Sequence, residues 1–163
     1  MGEKSTHFYF LTKDINKFSL KQKEMKAKAK GSAAERELIH RLHEAEWGII
    51  RSAGSGSTPL PSTDIVAGNG KRVLAIECKS LRYTTKYFYP EEVEQLVTFS
   101  KRFGAEPWFG IRFDRIGWFF VKPENLDKSK NGNLNISLER AKELGSSFER
   151  LIKGGEKDDS NKV

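Results

Sequence analysis

Cysteine is almost absent from this sequence of 163 residues. The single Cys78 forbids an internal disulfide and cannot build a thiolate cage for zinc. Histidine is scarce too, and His7, His40 and His43 are too few and too scattered for a His-rich metal site. Any metal is therefore expected on oxygen ligands. No stretch approaches the roughly 20 apolar residues needed to span a bilayer. The N-terminus shows no apolar segment followed by a small-residue cleavage site, so export is not expected. These absences predict a soluble, cytoplasmic chain with no membrane partner. Hydrophobic residues at 37% and aromatics at 11% are enough for one ordinary core.

Positive charge is what the chain has in excess. Lys plus Arg is 29 against 22 acidic residues, a net +7. Residues 1–30 hold eight lysines against Glu3, Asp14 and Glu24, while the remainder has 21 basic against 19 acidic residues. A basic arm ahead of a near-neutral body suits sequence-independent phosphate contacts. The alternative is a solvated terminus, although Phe8, Tyr9, Phe10, Leu11, Ile15, Phe18 and Leu20 give the arm some capacity to pack. The expected organisation is a basic extension over 1–30, a folded body over 31–153 and a polar, disordered tail over 154–163.

The body reads as alternating elements. Gly31-Ser32 interrupts the Lys/Ala run, and Leu38, Leu42 and Ala45 recur at helical spacing from Ala33 to about Trp47. A strand over Ile49–Ser52 precedes a Gly/Ser/Pro-rich loop, Gly54–Thr63. Asp64–Ala67 and Arg72–Lys79 read as a hairpin turning at Gly68–Lys71. Pro90-Glu91-Glu92 opens a helix that Gly104 ends. Trp108–Phe113 and Gly117–Val121 read as two further strands joined at Asp114-Arg115. Ser137 caps a last helix with Leu138, Ala141, Leu144, Phe148 and Leu151 on one side. The pattern is α/β.

The segment Asp64–Lys79 carries the chemistry. Strand alternation puts Glu77 and Lys79 on one face with Cys78 opposite. With Ala67 paired to Arg72, Asp64 falls opposite Ala75 and becomes a diagonal neighbour of Glu77. A slip of one residue would send the two carboxylates to opposite faces. Two such carboxylates suit a hard divalent cation such as Mg²⁺, and the lysine adds charge for orienting water or stabilising a phosphate. The bland alternative is a surface Glu–Lys pair. Glu35 lies on the apolar side of its helix with Leu38 and Leu42, or closes a capping box, Ser32-Ala33-Ala34-Glu35. Arg51 would fork onto a phosphate or neutralise the acidic cluster. Ser55 sits in the loop, where serine needs no chemical reason. Cys78 reads as a small buried hydrophobe, His40 and His43 as solvent-facing, and the three tryptophans as core or interface residues.

Taken together these residues resemble the archaeal Holliday-junction resolvases (Hjc type) of the PD-(D/E)xK nuclease superfamily. The matching segments run from Lys30-Gly31-Ser32-Ala33-Ala34-Glu35-Arg36 through Ile50-Arg51-Ser52-Ala53-Gly54-Ser55 and Pro61–Gly70 to Ala75-Ile76-Glu77-Cys78-Lys79. Glu91–Gly104, with Glu94-Gln95-Leu96-Val97-Thr98-Phe99, looks like the family's central helix. The resemblance implies a restriction-endonuclease-like fold, a central mixed five-stranded sheet flanked by helices, with 31–153 as the nuclease domain. It implies a structure-specific endonuclease that resolves four-way DNA junctions by paired nicks during recombination. Glu35, Asp64 and Glu77 would hold Mg²⁺, with Mn²⁺ as a substitute, and Lys79 would be the catalytic lysine. Ser55 matches a loop serine implicated in cleavage in some members. Arg51, with Lys30, Arg36 and Ser55, would contact DNA. The family is homodimeric, and Phe99 and Phe103 match its interface positions; recombination or replication proteins are expected partners. The first 29 residues exceed the family's usual short basic tail, and the C-terminal helix aligns only loosely. The rival readings are another repair or restriction-like nuclease of the superfamily, and a non-catalytic DNA-binding protein.

Overall fold

Strand alternation in one nine-residue segment organises the molecule. In the computed structural model, which describes residues 3–52 and 60–154 with side chains from Leu20 onward except Ala27, that segment is β3, Val73–Leu81. Leu74, Ile76 and Cys78 face one side of the sheet and Ala75, Glu77, Lys79 and Leu81 the other. Antiparallel to β3 runs β2, Ile65–Gly68, and antiparallel to β2 runs β1, Gly48–Arg51. On its other edge β3 pairs in parallel with β5, Glu106–Phe113, which pairs antiparallel with β6, Gly117–Val121. The order β1-β2-β3-β5-β6 is the mixed five-stranded sheet that was expected. A parallel neighbour requires a crossover, and the crossover contains α2, Pro90–Phe103.

Each face has its own core. Ile65, Ala67, Leu74 and Ile76 pack with Leu38 and Leu42 of the first helix and with Phe148 and Leu151 near the C-terminus. Ala75, Phe109, Ile111 and Val121 pack on the other face with Val93 and Leu96 of α2. Trp47, Trp108 and Trp118 are core residues, and His40 and His43 are exposed, as expected.

Several boundaries differ from expectation. The first helix, α1, runs unbroken over Glu3–Glu44, so Gly31-Ser32 does not interrupt it and Ser32 caps nothing. Glycine and serine cost a helix about 1 kcal/mol or less each, and the Lys, Ala, Glu and Arg residues around them are strong helix formers. The chain divides into two compact units, Met1–Ala33 and Ala34–Val163, with the boundary inside α1. The single C-terminal helix is two helices, α3 (Leu138–Leu144) and α4 (Phe148–Lys153). Between them Ser146 exchanges two backbone hydrogen bonds with Phe120 of β6, and Ser147 caps α4. Leu144 is consequently exposed rather than sharing the apolar side. A second sheet, absent from the sequence reading, joins β4 (Thr85–Phe88), β8 (Leu134–Ser137) and the two-residue β7 (Asp127–Lys128). Among the described residues no helix is long and apolar enough to cross a membrane. The tail beyond Gly154 lies outside the described residues.

Arg72, at the end of the β2–β3 turn, clamps three elements. Its Nε and Nη2 donate to the two carboxylate oxygens of Glu106 at 2.7 and 2.8 Å, and Nη1 donates to the Leu151 carbonyl at 2.7 Å. The bidentate Arg72 bond holds the Glu106 carboxyl below its ordinary value against opposing desolvation. A carboxyl with a depressed folded-state pKa stabilises the fold above its unfolded-state pKa, and that stability is lost as pH falls through the folded value. Glu106→Gln should therefore lower the melting temperature at neutral pH. The gap to the parent protein should close once pH falls below the ordinary carboxylate range, as read by thermal melts across a pH series.

Candidate active site

The hairpin register brings the two carboxylates of the central motif face to face. Ile65 pairs with Ile76 and Gly68 with Val73, so one further step sets Asp64, just before β2, across from Glu77. The turn is Asn69–Arg72 rather than Gly68–Lys71. Asn69 Oδ1 accepts from the backbone N–H groups of Lys71 and Arg72 at 3.0 and 2.8 Å, and Gly70 takes φ +82°. The assumed pairing of Asp64 with Ala75 is therefore off by two residues. An even offset preserves side-chain parity, so Asp64 and Glu77 share a face as directly opposed rather than diagonal residues.

Asp64 is held on both sides. Its carbonyl accepts from the Ser52 backbone N–H at 2.9 Å, and its Oδ2 from the Cys78 backbone N–H at 2.8 Å. Beside it Lys79 Nζ donates to Glu77 Oε1 at 2.9 Å, each side chain only 22% exposed. A fourth residue closes the group: Glu92 Oε1 lies 3.4 Å from Lys79 Nζ, while its Oε2 accepts from the Tyr89 backbone N–H at 2.9 Å. Lys86 of β4 sits with Nζ 5.1 Å from the Phe88 ring centroid. Burial pushes its pKa down, and the field of Glu92 offsets part of that shift.

Negative charge is in excess here. Burial raises the Glu77 pKa, Lys79 opposes the rise, and the charges of Asp64 and Glu92 add to it. Burial disfavours the Lys79 ammonium, yet Glu77, Glu92 and Asp64 together raise its pKa, so it stays protonated. Cys78, packed on the opposite face, has its thiol pKa raised well above normal by burial and then by Asp64, Glu35 and Glu77. It is a partly buried thiol held protonated, not a nucleophile.

The remaining residues are distributed around this centre. Glu35 does not close a helix start. Its Oε2 accepts from Arg51 Nε and Nη2 at 2.9 and 2.6 Å, so Arg51 neutralises an acidic residue rather than pointing free. Glu37, one turn-fraction along α1, accepts from Arg112 Nε at 2.7 Å and Trp118 Nε1 at 2.8 Å, fixing this part of α1 on the sheet. Arg36 is exposed, and Lys30 is partly buried in the first unit. Ser55 lies outside the described residues. On α2, Phe99 is half-buried and Phe103 is 53% exposed, their rings stacked at 5.3 Å. Glu92 and Lys86 were not singled out from sequence. Glu92 read only as a helix-opening acid, and β4 has too few inward residues to announce Lys86.

The donor set suits a hard cation. Asp64 and Glu77 offer carboxylate oxygens in a region of surplus negative charge, and Mg²⁺ takes few protein ligands. Among the described residues no three His, Cys, Asp or Glu side chains form a metal-sized cluster. Glu35 Oε2 is instead engaged by Arg51.

The archaeal Holliday junction resolvase (Hjc) family model matches residues 26–160. The chain belongs to this Hjc family. Among its relatives, the crossover junction endodeoxyribonuclease Hjc of Archaeoglobus fulgidus is 40% identical over 136 residues, covering 80% of this chain and 98% of that protein. The Hjc of Methanocaldococcus jannaschii is 36% identical over 77% of this chain and 89% of its own length. The solved structure of Archaeoglobus fulgidus Hjc, a Holliday junction resolvase, matches with TM-score 0.70 at 37% identity, over 75% of this chain and 99% of that one. The bacterial homing endonuclease I-Ssp6803I shares the fold alone, at TM-score 0.52 and 13% identity over 78% and 94% of the two chains. The Hjc fold here is restriction-endonuclease-like.

The Asp64 bond to the Cys78 amide is testable apart from chemistry. Asp64→Asn keeps an acceptor for that N–H whereas Asp64→Ala removes it, and both remove the charge. The alanine variant should be the less stable by about 1 kcal/mol in urea unfolding. Equal stabilities would mean the bond contributes nothing.

Proposed function

We propose that the protein is a structure-specific endonuclease that resolves four-way DNA junctions by Mg²⁺-dependent paired nicks in opposing strands. The observation that carries this reading is the opposition of Asp64 and Glu77 across the β2–β3 hairpin with the Lys79 ammonium beside them, in a chain of the Hjc family.

Asp64 and Glu77 are the residues that would hold the cation. Bound there, a divalent ion lowers the pKa of a water and screens phosphate charge. Lys79, kept protonated by its carboxylate neighbours, stabilises the charge that develops on the phosphate during attack. Arg51 takes a phosphate of the substrate through its planar fork. In doing so it gives up Glu35 Oε2, which becomes available as a third carboxylate. Ser55 and Arg36 are assigned to the same DNA-contacting set, and Lys30 to the basic arm. Binding rests on backbone charge and shape rather than base readout.

Two equivalent sites suit two opposing strands, and an isologous dimer supplies them. The side of α2 that carries the stacked Phe99 and Phe103 rings, with Phe103 exposed, supports that contact. The cytoplasm is where such an enzyme would meet chromosomal junctions in an archaeal cell.

Glu77→Gln and Asp64→Asn should each lower the single-turnover cleavage rate on a four-way junction by roughly 100-fold or more. Junction affinity should hold or tighten, because a negative charge near phosphates is removed. Normal cutting by either variant would overturn the site. Equal cleavage of the component duplexes would favour the alternative of a general repair or restriction-like nuclease.

A further inference from the structure

Lys79 is held from two sides, and only one of its partners belongs to the central motif. Glu77 Oε1 is 2.9 Å from the ammonium and Glu92 Oε1 is 3.4 Å away. Glu77 has a second claim on it if it serves a cation. Glu92 has no such competing duty, and its carboxylate is fixed independently. Its Oε2 accepts from the Tyr89 N–H at the mouth of α2, with Pro90 at the first helical position. The helix N-terminus favours a negative charge there. The helix itself is anchored, since Val93 and Leu96 are buried against the sheet. The other charges facing Glu92 are Lys86 and Glu77.

A lysine side chain has four flexible bonds, and an ammonium without a fixed partner samples many rotamers. We propose that Glu92 is a positioning residue for the cleavage reaction: one carboxylate, pinned in the first turn of α2, tethers the Lys79 ammonium so that it stays over the phosphate while Glu77 serves the cation. The inference rests on the reading of Lys79 as the lysine of the active site. Glu92 touches neither water nor phosphate in this role. It acts through Lys79.

The test uses the full chain carrying Glu92→Gln, which keeps an acceptor for the Tyr89 N–H but removes the charge, and Glu92→Asp, which keeps the charge but withdraws it by one methylene. In metal-free protein, ¹³C relaxation should show the Lys79 Cε order parameter falling in both variants, with the lysines other than Lys86 unchanged. The four-way junction dissociation constant in EDTA should stay within roughly twofold, because no phosphate contact is lost. The melting temperature of Glu92→Gln should stay within about 2 °C of the parent. Single-turnover cleavage with Mg²⁺ should drop roughly tenfold or more, the usual cost of losing a group that orients a reacting one. Glu77→Gln runs beside them. If Glu77→Gln still cuts, the active-site reading has failed. If Glu77→Gln is dead while both Glu92 variants cut at the parental rate with Lys79 equally ordered, the tether is overturned.

Discussion

The register of the β2–β3 hairpin is the constraint on which the site depends. Each strand contributes one carboxylate, and two side chains on paired strands share a face only when the offset between them has the right parity. The four-residue Asn69–Arg72 turn sets that offset. Asn69 folds its amide back onto two backbone N–H groups, and Gly70 supplies the left-handed step. Arg72 then ties the end of the turn to β5 and α4. The Asp64 side chain repeats the fixing from the far end by accepting from the Cys78 amide. The acidic residue is therefore also a piece of the hairpin, which gives it a structural duty beside any chemical one.

Much of this was legible in the sequence because it rests on periodicity. The five strands of the main sheet and α2 were each readable from alternation, turn residues and caps, as were the shared face of Glu77 and Lys79 and the burial of all three tryptophans. The misread features depend on tertiary context. Gly31-Ser32 has the composition of a break, but a helix rich in Ala, Lys and Glu absorbs it. Leu138 to Leu151 keeps helical spacing through Gly145, yet β6 captures the Ser146 backbone and splits the segment. The small second sheet leaves almost no trace, since its strands place single residues such as Phe88 and Ile136 inward. At the site, Glu35 was legible as a carboxylate beside the apolar stripe, and Arg51 as a neutraliser of the acidic cluster, though the sequence did not say that Glu35, 16 residues away, is the carboxylate it meets. Glu92 was legible as a cap, and nothing local in sequence says that its second oxygen meets Lys79.

The two faces of the sheet carry different work. On the α1 side, Glu37 bonds Arg112 and Trp118 above a core of Leu38, Leu42 and Ile76, all of it concerned with holding the domain together. On the α2 side the core stops short of Glu77 and Lys79, leaving a polar gap with more carboxylates than cations. Burial alone would favour filling such a gap with apolar side chains. This gap is where the proposed cation and phosphate would sit.

Helix α2 joins two features otherwise unrelated. Its first turn grips Lys79 through Glu92, and eleven residues later it exposes the Phe103 ring. A helix rises 1.5 Å per residue, so grip and ring stand about 16 Å apart along one stiff rod. Two copies meeting through their rings would thus have the gap between their Lys79 side chains dictated by rod length and crossing angle, not by any flexible segment. Adding or deleting a helical turn there would re-space the incisions.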